Sequence, residues 1–455
     1  MIDSREAMKE QAKKDGIEFF MALGTEVNGK PNASVAPAQY IDDLLDNGAA
    51  FAGFASGGLW QTPADGDIAY VPDPTTYTRL PWRRNMAVLH AFPHVKGELW
   101  PYASQNILKR LMDEIQTERG WTFKTGMEPE FFLVRQKEGG GIEIADSLDT
   151  SIKPCYHAYG IERAWPYLSK LSNYINEMGW GNPAIDSEDG NGQYEINIDY
   201  SDAMTTSDRL IMLHYMAHAV AYHEGEGILP TFMGKPFTGN TGNGLNTHFS
   251  LWDENGNNLF LDESDRLGLS KLAYHFIAGV LENAWGMQAL IGSNVNAYKR
   301  IGVPHPSSGS TWTPTHVMYG ANNRTTMLRI PDGGRVEHRG VDGGASPHLA
   351  TAAILAAGLD GIDRELDPGE CMEERNTYAM SDAELADFQP LPATLWEAAN
   401  ALQQNDVMRK AMGSGPHGDF VDFFAEEKRK EFAMYHSQVT QWEIDQYLLG
   451  PMPMW

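Results

Sequence analysis

The stretch GMEPEFF, residues 126–132, limits what this chain can fold into more than any other. It is apolar apart from Glu128 and Glu130 and runs on into Leu133 and Val134, so it reads as a strand. Side chains on a strand alternate between faces, so residues two apart share one. Two carboxylates about 7 Å apart on one face repel each other and resist ionising together. A sheet that carries them there has either a wet edge with two unrelated acids or a cation to set between or beyond them. Hard divalent ions such as Mg²⁺ and Mn²⁺ take oxygen ligands and suit the second case.

The rest of the chain narrows the setting. With 455 residues it is too long for one small core, and two domains are expected. Lys+Arg 35 against Asp+Glu 61 gives a net charge of −26, which argues against nucleic-acid or anionic-membrane partners because both need a positive field. Cys155 and Cys371 are the only cysteines, too few for a disulfide framework or a cysteine-rich zinc site. The start, MIDSREAMKEQAKKDG, has no apolar signal core, and the apolar run Ala350 to Leu359 is too short to span a bilayer. A cytoplasmic location is the expectation.

An amphipathic helix is predicted over residues 1–20, followed by short strand-like pieces to residue 95, broken by GKPNAS, ADGD and VPDPTT. WPYASQNILKRLMDEIQTERGW predicts a helix of about 15 residues before the acidic strand. ERAWPYLSKLSNYINEMGW and SDRLIMLHYMAHAVAYHEGEG read as helices, and GQYEINIDY and LNTHFSLW as strands. Glycine-rich loops fall at 238–244, 307–310 and 340–345, and from about residue 345 the pattern is mostly helical, closing with a helix over KRKEFAMYHSQVTQWEIDQYLL.

More acids fall at strand ends and turns. In SEDGNGQYEINID, Glu188 and Glu195 flank a loop with two glycines that lets both face one point. In RVEHRG, Glu337 lies between Arg335 and Arg339, all two apart and so on one face of a strand. TGNGLNTHFS sets Gly242 and Gly244 before Asn246, His248 and Ser250, a glycine loop for close backbone approach followed by polar residues on a shared face. His248 also fits a satisfied core histidine. Arg300, Arg324 and Arg329 follow, and arginine matches carboxylate and phosphate with paired hydrogen bonds. No GxxxxGK[ST] loop or kinase loop set is present. Metal–nucleotide chemistry next to an anionic substrate fits this combination, with metals and arginines holding the phosphates.

The order EPEF, the acid pair ending in GQYE, NGLNTHFS, NAYKR, NRTTMLRIP and RVEHR resembles the glutamine synthetase family over nearly the whole chain. The resemblance implies an α+β fold: a β-grasp domain over residues 1–100 and, over 101–455, a catalytic domain with an antiparallel sheet and surrounding helices. It implies that Glu130, Glu188 and Glu195 bind one Mg²⁺ or Mn²⁺, and that Glu128 and Glu337 bind a second. His248 and Ser250 match positions that hold ATP, and Arg324, Arg329 and Arg335 match positions that clamp its phosphates. Gly242, Arg300 and Arg339 match positions that hold glutamate, and Glu130 and Arg324 stand at the catalytic step. It also implies double rings of six or five subunits, a dodecamer first, in which one subunit's N-terminal domain completes the next one's site.

Three departures stand out. Asn246 replaces the first histidine of the family's HxH, which leaves an oxygen to offer but changes the second metal's surroundings. Aligning back from DIAYVPD puts Gly53 where an acid is expected, and the loop VPHPSSGSTWTP has no Glu, with Trp312 near that position. Those acids cage ammonium in relatives that use ammonia. Their absence, with Trp312 at hand, points to a small alkylamine, methylamine first, since one buried methyl is worth about 1 kcal/mol. Ammonia as substrate stays open, as does a non-catalytic scaffold, although a set of repelling acids is costly to keep without metals.

Overall fold

In this computed structural model, which describes residues 2–224, 227–301 and 311–449, the first helix is shorter than the sequence predicts. Helix α1 (Arg5–Asp15) starts where Ser4 Oγ accepts from Ala7 N and stops at Gly16, whose left-handed backbone ends the helix. Phe19 already belongs to a strand, because its segment pairs with the chain around residue 86.

That strand, β1 (Phe19–Thr25), lies in a seven-stranded sheet with β2 (Pro31–Pro37), β3 (Ala49–Phe51), β4 (Ile68–Pro72), β5 (Thr78–Arg79), β6 (Met86–Val95) and β7 (Glu98–Leu99). The order is β2-β1-β6-β4-β3, with β5 and β7 also on β6, and β1 runs parallel to β6. Helix α2 (Ile41–Asn47) connects β2 to β3. Trp100 Nε1 donates to Leu59 O, Thr25 N donates to Gln105, and buried His90 and His348 flank Asp208 at 3.5 and 2.9 Å. These contacts tie the first sheet to the remainder of the chain.

After α3 (Ser104–Arg119) comes β8 (Thr122–Gln136), the centre of a ten-stranded sheet. Its partners include β9 (Ile142–Ile144), β10 (Ile185–Ser187), β11 (Gln193–Ile196), β12 (Ser201–Asp202), β13 (Leu229–Thr231) and β14 (Leu245–Trp252). Beyond β14 follow β17 (Val336–His338), β16 (Leu328–Ile330) and β15 (Tyr319–Ala321), giving the order β10-β11-β8-β14-β17-β16-β15. All these pairs are antiparallel except β15 with β16. The predicted strand over 193–199 stops at Ile196, where Asn197 N turns to Ala184 O.

Burial along β8 alternates as the sequence requires. Phe123, Thr125, Met127 and Phe131 are buried, while Lys124, Glu128 and Glu130 point to the other face. Phe123 and Phe249 pack with Phe276 on helix α6 (Lys271–Glu282), which packs on α8 (Pro347–Asp363) and α7 (Ala284–Ile291), while α5 (Ala203–Glu224) packs on β8, α8 and α4 (Ala158–Glu177). Burying each such ring contributes roughly 2–3 kcal/mol. Helices α6 and α8 touch backbone to backbone: a Cβ at Gly279 would lie 2.1 Å from Ala357 O. With helices on one face, the polar face of the sheet is left for chemistry. The expected closing helix is two, Phe420–His436 and Gln441–Tyr447, the second restarted by a capping box at Thr440. Among the described residues no helix is long and apolar enough to cross a membrane.

Candidate active site

The antiparallel registers draw the acids into one band across the sheet. Asp186 pairs with Glu195, Glu195 with Glu130, Asn246 with Glu128, His248 with Glu337, and Arg329 with Glu337. Side chains directly opposite in such ladders lie about 5 Å apart, so residues from 128 to 337 meet without any long loop carrying them.

At one end of the band Glu128, His248 and Glu337 bring ligand atoms within 4.8 Å of one another. His248 Nε2 lies 3.1 Å from Glu128 Oε1, yet neither ring nitrogen of this buried histidine makes a hydrogen bond. Donor atoms that approach each other without bonding, and converge on one point, suit a divalent cation about 2.1 Å from each. Glu337 is fully buried; its oxygens accept from Arg329 at 2.7 Å and Arg339 at 2.5 Å. Burial pushes its carboxyl up, but Arg339, His248 and Arg329 together hold it below the usual range.

At the other end Glu130, Glu188 and Glu195 gather with Asp186. Burial and mutual repulsion push Glu188 up to about 8 and Glu195 well above its ordinary value. Glu130 is also raised, chiefly by burial, although its Oε2 accepts from Gly244 N at 2.8 Å and from Gln193 Nε2 at 3.1 Å. A group of carboxyls that cannot all ionise is a site with a cation's worth of unmet charge, and the residues present fit a second divalent ion. Asp186 and Gln193 belong to this cluster without having been singled out in the sequence. Neither carries a local motif, and only the pairing of β10 with β11 and of β11 with β8 brings them in.

Beside the acids is a glycine-walled recess. A Cβ on Gly244 would meet Arg300 Nη2 at 3.0 Å, Glu130 Oε1 at 3.3 Å and Asn246 Oδ1 at 3.6 Å. At Gly242 it would strike Gly234 O at 2.2 Å and Arg300 Cγ at 2.8 Å. Arg300 is buried, its Nη1 donating to Val341 O, while its Nε has no partner. Buried Arg339 donates to Glu337, Arg324 O and Trp312 O. Arg300 and Gly242 thus line one recess, and Arg339 lies against Glu337.

A cavity of about 440 Å³ opens from Glu128 and His248 along Ser250 to Lys124, Tyr200, Trp252 and Arg335. Its size and aromatic end suit a nucleotide. Of the predicted nucleotide contacts, His248, Ser250 and Arg335 line it and Arg324 and Arg329 do not. Arg335 lies just outside β17, which is only Val336–His338, and is exposed and held by Asp332. Exposed Arg324 lies near Tyr156, a tyrosine with φ of 58° that also feels Glu188. Trp312 is 36% exposed and left-handed, with φ of 53°. Most of its loop, including the glycine-rich 307–310, lies outside the described residues. At Gly53 a Cβ would lie 1.5 Å from Gln61 Oε1 and 3.2 Å from Ile68 Cγ2, so an acid there requires the Gln61 side chain to move. Half-buried Ala52 next to it already carries a Cβ.

A sheet bearing two acidic clusters, an arginine-lined recess and a nucleotide-sized cavity defines a class of enzyme, and comparison with known proteins identifies it. Residues 102–447 match the family model described as glutamine synthetase, catalytic domain, and the chain belongs to the glutamine synthetase family. Its α+β architecture is that of the family. Glutamate–methylamine ligase of Methyloversatilis universalis is 40% identical over 96% of this chain and 97% of its own length. Glutamine synthetase of Rhizobium leguminosarum bv. phaseoli is 38% identical over 96% of this chain and 98% of its own. A solved structure of GmaS in complex with ADP superposes with a TM-score of 0.90 at 40% identity, covering 98% of this chain and all of that one.

Proposed function

We propose that the protein ligates an amine, methylamine first, to the γ-carboxylate of L-glutamate at the expense of ATP. The observation that carries this reading is the single polar face on which unpartnered His248 meets Glu128 and Glu337. The cavity opens on one side of that cluster and the Arg300 recess lies beside the neighbouring acids. The 40% identical relative named glutamate–methylamine ligase supports the amine.

In this reading a γ-carboxylate oxygen of glutamate takes the terminal phosphoryl group of ATP, and the bond to ADP breaks as the new one forms. The amine nitrogen then attacks the activated carbon, phosphate leaves, and the nitrogen loses a proton. Glu130, Glu188 and Glu195 would hold one Mg²⁺ or Mn²⁺, and Glu128 and Glu337 with His248 the other. Such ions, when bound, neutralise charge spread over the phosphoryl oxygens. Arg300, Arg339 and the close backbone at Gly242 hold glutamate and exclude water from it. Arg324 and Arg329 act on the phosphates from the rim, and Ser250 and Arg335 along the cavity. Trp312 and Ala52–Gly53 line the amine's approach.

The amine is tested by kcat/KM measured for ammonia, methylamine and ethylamine at equal free-base concentration. Methylamine is expected to lead, and Trp312→Glu or Ala52→Asp to shift preference back to ammonia. A wild-type preference for ammonia overturns the alkylamine assignment and leaves a glutamine synthetase.

We further infer a boundary near residue 100 and an assembly of two hexameric rings with sites shared between subunits. The first sheet ends at Leu99 and the family match begins at residue 102. The atoms nearest a Cβ at Gly53 belong to Gln61 of the following loop and Ile68 of β4 rather than to the acid band, which fits a neighbouring subunit's site better than its own. Light scattering during turnover should find no active monomer.

A further inference from the structure

Lys124 lies on β8 on the same face as Glu128 and opposite Ser250 of β14. Its Nζ sits 3.9 Å from the centroid of the Trp252 ring and 5.8 Å from that of Tyr200. The two rings face each other, 6.3 Å apart with planes 23° from parallel. Trp252 is fixed: its Nε1 donates to Ser250 Oγ at 2.9 Å, and its backbone bridges to Asn258, whose amide donates to Gly334 O. Tyr200 reaches its place because position 126 is glycine; a Cβ there would lie 3.3 Å from Tyr200 Cβ.

The charges in the cavity are unequally matched. Arg335 is held by Asp332 through two hydrogen bonds, whereas Lys124 makes no ion pair among the described residues. An ammonium on an indole face gains less from the ring than a counter-charge or a hydrogen-bond acceptor supplies. Four residues along a strand place Lys124 about 13 Å from Glu128. A nucleotide with its phosphates beside Glu128 and His248 therefore has its base, not its phosphates, at Lys124.

We propose that Lys124 recognises the base of the bound purine nucleotide. The base stacks on Trp252 in place of the ammonium, which turns to donate to an acceptor nitrogen of the ring. Lysine offers three donors and no acceptor, which suits the lone pairs of a purine edge. The proposal rests on reading the cavity as the nucleotide site.

The test uses the full enzyme with Mn²⁺ and two probes, ADP and inorganic pyrophosphate, titrated by calorimetry into wild type, Lys124→Met and Lys124→Arg. Lys124→Met is expected to weaken ADP about tenfold and pyrophosphate less than twofold, with Lys124→Arg recovering most of the loss. Unchanged ADP affinity in Lys124→Met overturns the proposal. So does an equal loss for both probes, which marks a general charge effect. The underlying reading is checked separately by the difference in fluorescence between wild type and Trp252→Phe as ADP is added. If ADP leaves the Trp252 contribution unchanged, the nucleotide lies elsewhere and both readings fall. If it quenches that emission while Lys124→Met binds ADP as wild type does, only the role of Lys124 falls.

Discussion

Glu130→Ala is expected to abolish ligation, by a factor on the order of a thousand or more, and to leave the metal-free fold at least as stable as wild type. Glu337→Ala is expected to abolish ligation too but to cost stability as well. The difference follows from what each carboxylate faces. Glu130 is half-buried beside Glu128, Glu188 and Glu195, and desolvation and repulsion raise its carboxyl, so removing it relieves strain when no cation is present. Glu337 neutralises Arg329 and Arg339 at 2.7 and 2.5 Å, and Arg339 is 4% exposed. Truncating one partner of such a pair leaves a buried charge unmatched and costs about 3 kcal/mol or more. Activity and urea midpoints for both variants, with metal chelated, check this. Near-wild-type ligation by Glu130→Ala at saturating Mg²⁺ would remove Glu130 from the site, and equal stability losses would refute the electrostatic contrast.

Without metal, the protein is expected to lose stability as pH rises from about 5 to 8, and adding Mn²⁺ should restore it most at the alkaline end. Glu188 is pushed up to about 8 in the fold against an ordinary 4.5, and Glu195 is raised well above its ordinary value too. A carboxyl whose pKa is raised by folding binds its proton more tightly in the folded state. Its protonation therefore favours the fold below the folded value, and that advantage fades as pH climbs from the unfolded value to the folded one. Cations displace those protons, so metal binding at pH 7 should release protons and tighten steeply with pH. Melting temperatures at several pH values with EDTA and with Mn²⁺, and proton release in weakly buffered solution, provide the check. A melting temperature that rises over this range without metal would show that these acids do not face one another as described.

Where a pattern is local, the sequence carried it. The alternation in GMEPEFF set Glu128 and Glu130 on one face, and β14 begins and ends where LNTHFSLW does. The glycines at 242 and 244 marked the recess that they line. What pairing across the sheet decides was not legible. Nothing near Asp186 or Gln193 tells of Glu130, and nothing near Lys124 tells of Trp252, because those contacts depend on register. Spacing set Arg335 and Arg339 either side of Glu337, but it does not tell their partners: Asp332 holds the first and Glu337 the second. His248 read as a nucleotide contact, and the fold shows it lining the cavity and also converging with Glu128 and Glu337, a double placement that spacing alone does not reveal. Gly53 was reached by counting along a loop, and the crowding by Gln61 moves attention to Ala52.

The ladder linking β10, β11, β8, β14 and β17 also bears on which changes of length the gene tolerates. Strand faces alternate with a period of two, so gaining or losing a single codon within 122–130 would turn part of the acidic row into the phenylalanine core and bring the rings out to water. Two codons would keep the faces but shift every rung, parting Glu195 from Glu130 and Asn246 from Glu128. The turns at 137–141 and 253–257 bear no such constraint. Insertions and deletions in this lineage should collect in those turns and be absent from the strands between.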